Sequence, residues 1–159
     1  MERIYAPWRA EYLSSSKSGE CLFCKLPGDG DDEKNWILHR GRHCFVIVNI
    51  YPYSNGHIMV VCNRHVDHFA DLSPDESAEL MGLISLGEKA IFDSYQPGGI
   101  NVGVNVGRSA GAGILGHLHV HLVPRWHGDT NFMTAVAETR VVSEDLADTY
   151  KRLKPYFKG

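Results

Sequence analysis

Apolar residues concentrate in five short stretches, as alternating patterns or as continuous runs rich in β-branched residues. Alternation with a period of two is typical of a half-buried β-strand, because successive side chains leave opposite faces of the sheet. Turn-favouring Gly, Pro, Asn and Ser residues separate several of these stretches. We therefore predict strands over residues 36–39, 44–50, 57–62, 100–107 and 116–123, with Pro124 ending the last one because it lacks a backbone donor.

A longer stretch between the third and fourth strands has the periodicity of an amphipathic helix. Ser73 is suited to the N-cap, Pro74 to the first helical position, and Glu76 to closing a capping box with the serine. Residues 96–99, Gln-Pro-Gly-Gly, end the helix. Its predicted apolar stripe includes Leu80, Leu83, Ile84 and Ile91.

The order of these elements predicts an α+β fold with an antiparallel sheet of about five strands, one long helix and one C-terminal helix. The C-terminal helix begins near Ser143 and ends before Pro155. A further short strand is predicted over residues 136–142. We expect residues 1–19 to form an N-terminal arm and residues 20–159 to form a single domain.

The fifth stretch carries three histidines in strict alternation, His117, His119 and His121. On a strand they share one face, and the outer two lie roughly 13 Å apart at about 3.3 Å per residue. The opposite face, formed by Leu118, Val120 and Leu122, is predicted to be buried. A single histidine is usually structural, but three in register beside a glycine-rich loop favour a functional site.

His-x-His-x-His with aliphatic residues between, followed by Leu-Val-Pro-Arg, resembles the signature of the histidine triad (HIT) superfamily. The resemblance implies a HIT-like fold and chemistry at the α-phosphate of a nucleotide, with His119 as nucleophile. His121 would bind the phosphate or help to protonate the leaving oxygen. His117 and His57 complete the four histidines that are typical of the family.

A glycine-rich loop precedes the histidine strand and is suited to phosphate binding, because glycine lets backbone N–H groups approach closely. Its candidate residues are Gly107, Ser109, Gly111 and Gly113. A plain hairpin connection is the alternative. The family resemblance adds Asn105 near the phosphates and Asn49 at the nucleoside; a turn cap at the end of a strand is the structural alternative for Asn49.

One departure from the family pattern concerns the glutamine that many members carry in Ala-Gly-Gln before the first triad histidine. This chain instead has Ala-Gly-Ala-Gly over residues 110–113, and its loop is one residue longer. The longer loop, Ala-Pro-Trp-Arg at 6–9 and Pro-Arg-Trp at 124–126 resemble the bacterial diadenosine tetraphosphate phosphorylase-like branch, which has fragile histidine triad-like relatives. That branch implies diadenosine tetraphosphate as substrate and an AMP-type product.

Cys21 and Cys24 form a Cys-x-x-Cys pair that supplies half of a tetrahedral zinc site. In zinc-containing members of the superfamily the remaining ligands correspond to His65 and His117. We therefore predict a structural Zn²⁺ held by two cysteines and two histidines. A redox pair is the alternative, but the βαβ setting that normally surrounds such a pair is not evident in the sequence.

Composition narrows the class of partner. The chain has 159 residues, a net charge of −3 and 43% hydrophobic residues. It has no general basic surface of the kind that binds nucleic acid. The first 20 residues contain no continuous apolar run, so we expect no membrane partner and a cytoplasmic location.

Three alternatives to a nucleotidyl transferase or hydrolase follow from the same residues. A catalytic zinc bound by all three triad histidines is disfavoured by their spacing along the strand. A non-catalytic nucleotide-binding module and a hydrolase of nucleoside phosphoramidates remain open. The family resemblance also implies a homodimer in which two sheets join into one.

Overall fold

The computed structural model describes residues 21–130, 134, 136 and 142–157. The predicted N-terminal arm lies outside these residues. So does the strand predicted over 136–142, apart from its two end residues. In the described part of the chain, no helix is long and apolar enough to cross a membrane.

In residues 21–130 five strands form one antiparallel sheet, which confirms the predicted α+β class. Their spatial order is β1-β2-β3-β5-β4, so the last strand in sequence inserts between β3 and β4. The strands are β1 (Ile37–Arg40), β2 (Cys44–Val48), β3 (Ile58–Cys62), β4 (Gly99–Val104) and β5 (His119–Arg125). The histidine strand is therefore paired on both sides.

The α-helices whose bounds fall within the described residues are α1 (Leu22–Lys25), α2 (Pro74–Tyr95) and α3 (Leu146–Leu153). The predicted capping box of α2 is present, since Ser73 accepts from the Glu76 N–H and the Glu76 carboxylate accepts from the Ser73 N–H. Helix α3 begins three residues after Ser143, because the side chain of Asp145 caps it by accepting from the Asp148 N–H. Helix α1 is a single turn that sequence reasoning did not predict.

The sheet is buried on both faces at its centre, where β2 and β3 are buried at every position. One face packs against α2 and α3 and includes Leu118, Val120 and Leu122, as predicted. The other face carries the histidines and a second apolar cluster around Phe23 and Phe45. Position on the sheet thus places the histidines in a largely dry environment.

Among the described residues strand β4 forms one edge of the sheet, and its apolar residues are covered unequally. Ile100, Val104 and Val106 pack against the core, but Val102 is 50% exposed. Its side chain lines an apolar groove between β4 and α2, together with Leu72, Met81 and Ile84. Alternation identified the correct face of the strand, but that face is only partly covered at the edge.

The histidine strand has different bounds from those predicted. It begins at His119 because the Leu118 N–H bonds to the Val66 carbonyl outside the ladder. It continues through Pro124 to Arg125, so Pro124 does not end it. Pairing of β5 with β3 stops at Leu122, so a residue without a donor is tolerated beyond that point.

Candidate active site and metal centre

His119 lies on β5 with its ring almost fully buried, at 4% exposure. Its Nδ1 is 2.7 Å from the carbonyl oxygen of His117. A carbonyl only accepts, so Nδ1 carries the proton and Nε2 is left with its lone pair. Burial also lowers the pKa of His119, which keeps the ring neutral. The result is an imidazole nitrogen suited to nucleophilic attack.

His121 and His57 are joined by a hydrogen bond across neighbouring strands. The Tyr53 backbone N–H donates to His57 Nδ1 at 3.1 Å, which places the His57 proton on Nε2. That Nε2 donates to His121 Nδ1 at 3.0 Å. In the neutral ring of His121 the remaining proton is then on Nε2, where it can be donated to a ligand.

Both members of this pair are held in the neutral form. Burial, followed by repulsion from His121, lowers the pKa of His57 to about 3. Burial, followed by repulsion from His119, lowers the pKa of His121 to about 4. At neutral pH the directions of the hydrogen bonds, rather than charge, therefore decide which nitrogen donates.

The rings of His119 and His121 meet edge to face, with centroids 5.0 Å apart and planes at 72°. On one face of β5, His119 thus presents a nitrogen with a free lone pair, and His121 beside it presents a nitrogen that bears a proton. This combination can attack an electrophilic centre and donate to one of its oxygens. Phosphoryl transfer through a histidine intermediate can use both kinds of group.

Asn49 is buried where β2 ends, and its side chain serves the turn. Its Oδ1 accepts from the Tyr51 N–H at 2.9 Å, and its Nδ2 is 3.3 Å from both ring nitrogens of His57. The turn-capping contact considered from sequence is therefore present. The same contacts place Asn49 directly beside the His57–His121 pair.

The polar side of β4 shares the face of the triad, because Gly103 is paired with His121. Asn105 follows β4 directly, and the glycine-rich loop continues from it. Gly107 and Gly111 have φ values of +82° and +87°, in the left-handed region that favours glycine. Ser109 is exposed on a single 3₁₀ turn and Gly113 is partly buried. Register thus brings the start of this loop to the histidine side of the sheet.

The four predicted metal ligands, Cys21, Cys24, His65 and His117, come together. One ligand atom from each lies within 4.8 Å of all the others. The separations include 3.2 Å from Cys21 Sγ to His117 Nδ1 and 3.3 Å from Cys24 Sγ to His65 Nδ1. Two sulfurs and two imidazole nitrogens at such separations fit the donor set of a tetrahedral zinc.

The protonation state of His117 supports the same assignment. Its Nε2 is 2.6 Å from the carbonyl oxygen of Cys62, so Nε2 carries the proton. The unprotonated Nδ1 then faces the two sulfurs, as a ligand atom must. Because His117 turns toward the cysteines and His119 Nδ1 bonds to a carbonyl, the histidines do not converge as a three-ligand zinc site requires.

Two contributors to the site were missed from sequence. The Tyr53 backbone N–H sets the tautomer of His57, which no residue pattern signals. The ring of Phe23 lies 5.1 Å from the His119 ring. The position of Phe23 between the two cysteines of Cys-Leu-Phe-Cys is the sequence feature that could have identified this residue.

Comparisons of the sequence with a family model and with known proteins indicate the same family. A model of the HIT domain matches residues 32–128. The chain is 39% identical to AP-4-A phosphorylase of Mycobacterium tuberculosis, across 96% of this chain and 83% of that protein. It is 29% identical to the asymmetrical bis(5'-nucleosyl)-tetraphosphatase of Schizosaccharomyces pombe, across 58% of this chain and 50% of that protein. These relatives confirm the prediction that the protein is an enzyme. They do not decide whether it is a phosphorylase or a hydrolase.

A solved structure gives the same result for the fold. A Zn-bound histidine triad family protein from Mycobacterium smegmatis superposes with a TM-score of 0.69 at 25% identity, covering 89% of this chain and 94% of that one. The predicted α+β fold of the HIT type is therefore confirmed. From its signature strand, its sheet and these relatives, this chain belongs to the HIT domain family.

Proposed function

We propose that this protein transfers the nucleotidyl group of a nucleoside polyphosphate through a covalent intermediate on His119, with diadenosine tetraphosphate as the substrate. The observation that carries the proposal is the bond from His119 Nδ1–H to the His117 carbonyl, which leaves Nε2 available. A substrate with a polyphosphate chain is supported by the relatives named AP-4-A phosphorylase and bis(5'-nucleosyl)-tetraphosphatase.

In the first step His119 Nε2 attacks the α-phosphorus and forms a P–N bond. The bond from that phosphorus to the bridging oxygen breaks, and ATP leaves with the bonding electron pair. As that bond breaks, His121 Nε2–H donates a hydrogen bond to the departing oxygen or to a non-bridging oxygen and keeps its proton, which stabilises the negative charge that develops there. The hydrogen bond from His57 holds the His121 ring in the tautomer that makes this donation.

In the second step an acceptor oxygen attacks the same phosphorus and the P–N bond breaks, which restores neutral His119. Inorganic phosphate as acceptor gives ADP, and water gives AMP. We propose phosphate, supported by the 39% identity to a phosphorylase over nearly the whole chain. Splitting one displacement into two through a nucleophilic side chain is the general advantage of covalent catalysis.

The remaining predicted residues are assigned to binding. We propose that backbone N–H groups of Gly107, Gly111 and Gly113 and the hydroxyl of Ser109 contact the phosphate chain, with Asn105 at its start. Asn49 beside His57 is proposed for the nucleoside end. The exposure of Ser109 and Gly111 is consistent with a loop that meets a ligand from solvent.

We further propose that the four-ligand cluster binds a structural zinc. Cys21 and Cys24 lie at the start of the described chain and His117 lies two residues from His119, so a bound metal would tie these segments together. The two cysteines as thiolate ligands require reducing conditions, which supports a cytoplasmic location. No step of the reaction passes through the metal.

A homodimer is also part of the proposal. In the part of the chain that the structure describes, strand β4 is an edge of the sheet, and exposed Val102 and Met81 border the apolar groove beside it. A second copy of the chain is the proposed occupant, since joined sheets would satisfy that edge. Light scattering should give twice the chain mass, and Val102→Lys should shift it toward the monomer while exposed Tyr156→Lys should not.

The experiment that tests the function is incubation of purified protein with diadenosine tetraphosphate, with and without inorganic phosphate, and chromatography of the products. Phosphate-dependent ADP and ATP support the phosphorylase, and AMP and ATP without phosphate indicate a hydrolase. His119→Ala should show no turnover, and full activity in that variant would contradict the mechanism. Turnover of phosphoramidates alone, or nucleotide binding without turnover, would favour the corresponding alternative.

A further inference from the structure

Phe23 lies between the two cysteines of the metal cluster, and its side chain is 1% exposed. The turn of α1 leaves Cys24 exposed and Cys21 half-buried, while it directs Phe23 into the apolar cluster on the histidine face. A large apolar ring thus lies against the histidines, next to the cluster. Packing alone would not require that ring to meet polar imidazoles.

The Phe23 ring contacts two of the triad histidines. Its centroid is 5.1 Å from that of His119, with planes at 56°, and 5.5 Å from that of His117, at 74°. Both separations are within the range in which aromatic rings attract one another. Since His121 contacts the His119 ring at 5.0 Å, the nucleophile has an aromatic neighbour besides its own triad partner.

A single hydrogen bond at Nδ1 does not by itself determine the orientation of the His119 ring, because the ring can pivot about that bond. We propose that Phe23 is the positioning residue of His119: it holds the imidazole plane so that Nε2 is presented to the α-phosphorus, and it keeps water from the ring. This inference rests on the proposed role of His119. The Cys21–Cys24 turn in turn holds Phe23 in place.

The proposal predicts which kinetic constant changes. Phe23 acts through His119, so its truncation should lower kcat while the ground-state contacts to the nucleotide remain. A displacement of a reacting group by about 1 Å can cost about 100-fold in rate. We therefore expect Phe23→Ala to lower kcat between about 10-fold and 100-fold, with KM within about threefold.

The matched control is Phe45→Ala. Phe45 belongs to the same cluster, is equally buried at 1%, and lies 6.3 Å from the Phe23 ring. It is separated from His119 by a strand, because Phe45 is paired with Val61 and Val61 with His119. Its truncation should reduce thermal stability by a similar amount but change kcat by less than about threefold, because it removes similar buried volume without reaching the nucleophile.

The second measurement does not depend on activity. Imidazole ¹⁵N chemical shifts at a fixed neutral pH show which nitrogen of His119 carries the proton. Wild type and Phe45→Ala should show one tautomer, protonated at Nδ1, whereas Phe23→Ala should show signals averaged between tautomers. Phe23→Leu, which retains most of the volume, should recover the single tautomer and most of kcat.

Equal losses of kcat in Phe23→Ala and Phe45→Ala, or an unchanged tautomer with full kcat in Phe23→Ala, would overturn the proposal. If Phe23→Ala does not fold, the pair Phe23→Val and Phe45→Val decides by the same criteria. If the wild type turns over no nucleotide, the proposed function fails. The ¹⁵N comparison still decides in that case whether Phe23 orients His119.

Discussion

His57 Nε2 donates to His121 Nδ1 at 3.0 Å, although the two residues are 64 positions apart in the chain. The bond assigns one tautomer to each ring, with the final proton on His121 Nε2. His57 therefore contributes to the site through His121. When one residue acts only through another, replacing both should lower activity no more than replacing the second one alone.

Substitution of this pair should be strongly non-additive. His121→Ala should lower kcat by about 100-fold, the lower end for loss of one positioned hydrogen-bond donor to the developing charge. His57→Ala should lower it by about 10-fold, because His121 remains but can adopt the wrong tautomer. In the double variant kcat should match that of His121→Ala, measured by steady-state turnover. Exposed His68→Ala is the control, and multiplicative losses in the double variant would contradict the coupling.

Stability should fall on acidification because buried His57 and half-buried His121 stay neutral in the folded state. Their pKa values are lowered to about 3 and about 4, whereas an unfolded histidine has about 6.5. The unfolded chain thus binds more protons below pH 6.5, and stability is lost as pH falls from there toward the folded values. The slope is at most about 1.4 kcal/mol per pH unit for each histidine.

The measurement for this prediction is urea unfolding between pH 4.5 and 7.5. His57→Gln should flatten the dependence relative to wild type, while His68→Gln should not, because His68 is exposed. Comparison of the variants under the same conditions separates the His57 contribution from loss of metal in acid. An unchanged slope in His57→Gln would show that this ring is not held neutral by the fold.

Substitution of a cysteine in the metal cluster should remove the zinc, whereas substitution of a cysteine outside it should not. Wild type should contain about one zinc per chain by elemental analysis, since a four-ligand site is complete. Cys24→Ser should contain almost none and should unfold at a lower temperature. Buried Cys44, whose Sγ lies 3.9 Å from that of Cys62, is not in the cluster, so Cys44→Ala should retain the zinc. Equal zinc in all three proteins would rule out the assignment.

Alanine substitutions at Gly116 and Gly128 should separate the effect of backbone strain from the effect on metal binding. Gly116 has φ +73°, and a Cβ there would lie 3.3 Å from His65 Nε2. Gly128 has φ +80° with open space around a Cβ. Alanine at either position should cost about 1–2 kcal/mol of stability from the left-handed conformation.

The difference between these two variants should appear in metal retention. Only Gly116→Ala pushes on the His65 ring, so it should release zinc to a chelator faster than Gly128→Ala does. Denaturant unfolding and chelator competition provide the two measurements. Equal release rates would mean that the His65 ring adjusts without disturbing the cluster.

Local features were predictable from sequence because neighbouring residues decide them. The capping box follows from the residue types at Ser73 and Glu76, and the shared face of His119 and His121 follows from strand alternation. The four metal ligands were identified through the family resemblance, and the structure brings them together. The sequence pattern by itself therefore determined the α+β class and the histidine face, and the family resemblance supplied most candidate site residues.

Only the tertiary structure decided how those residues act on one another. The tautomers of His119 and His57 depend on the His117 carbonyl and the Tyr53 N–H, and the Phe23–His119 contact joins residues far apart in the chain. The exposure of Val102 and the tolerance of Pro124 depend on where neighbouring strands stop. Periodicity specifies the face from which a side chain leaves, whereas its partners are set by what the fold packs against that face.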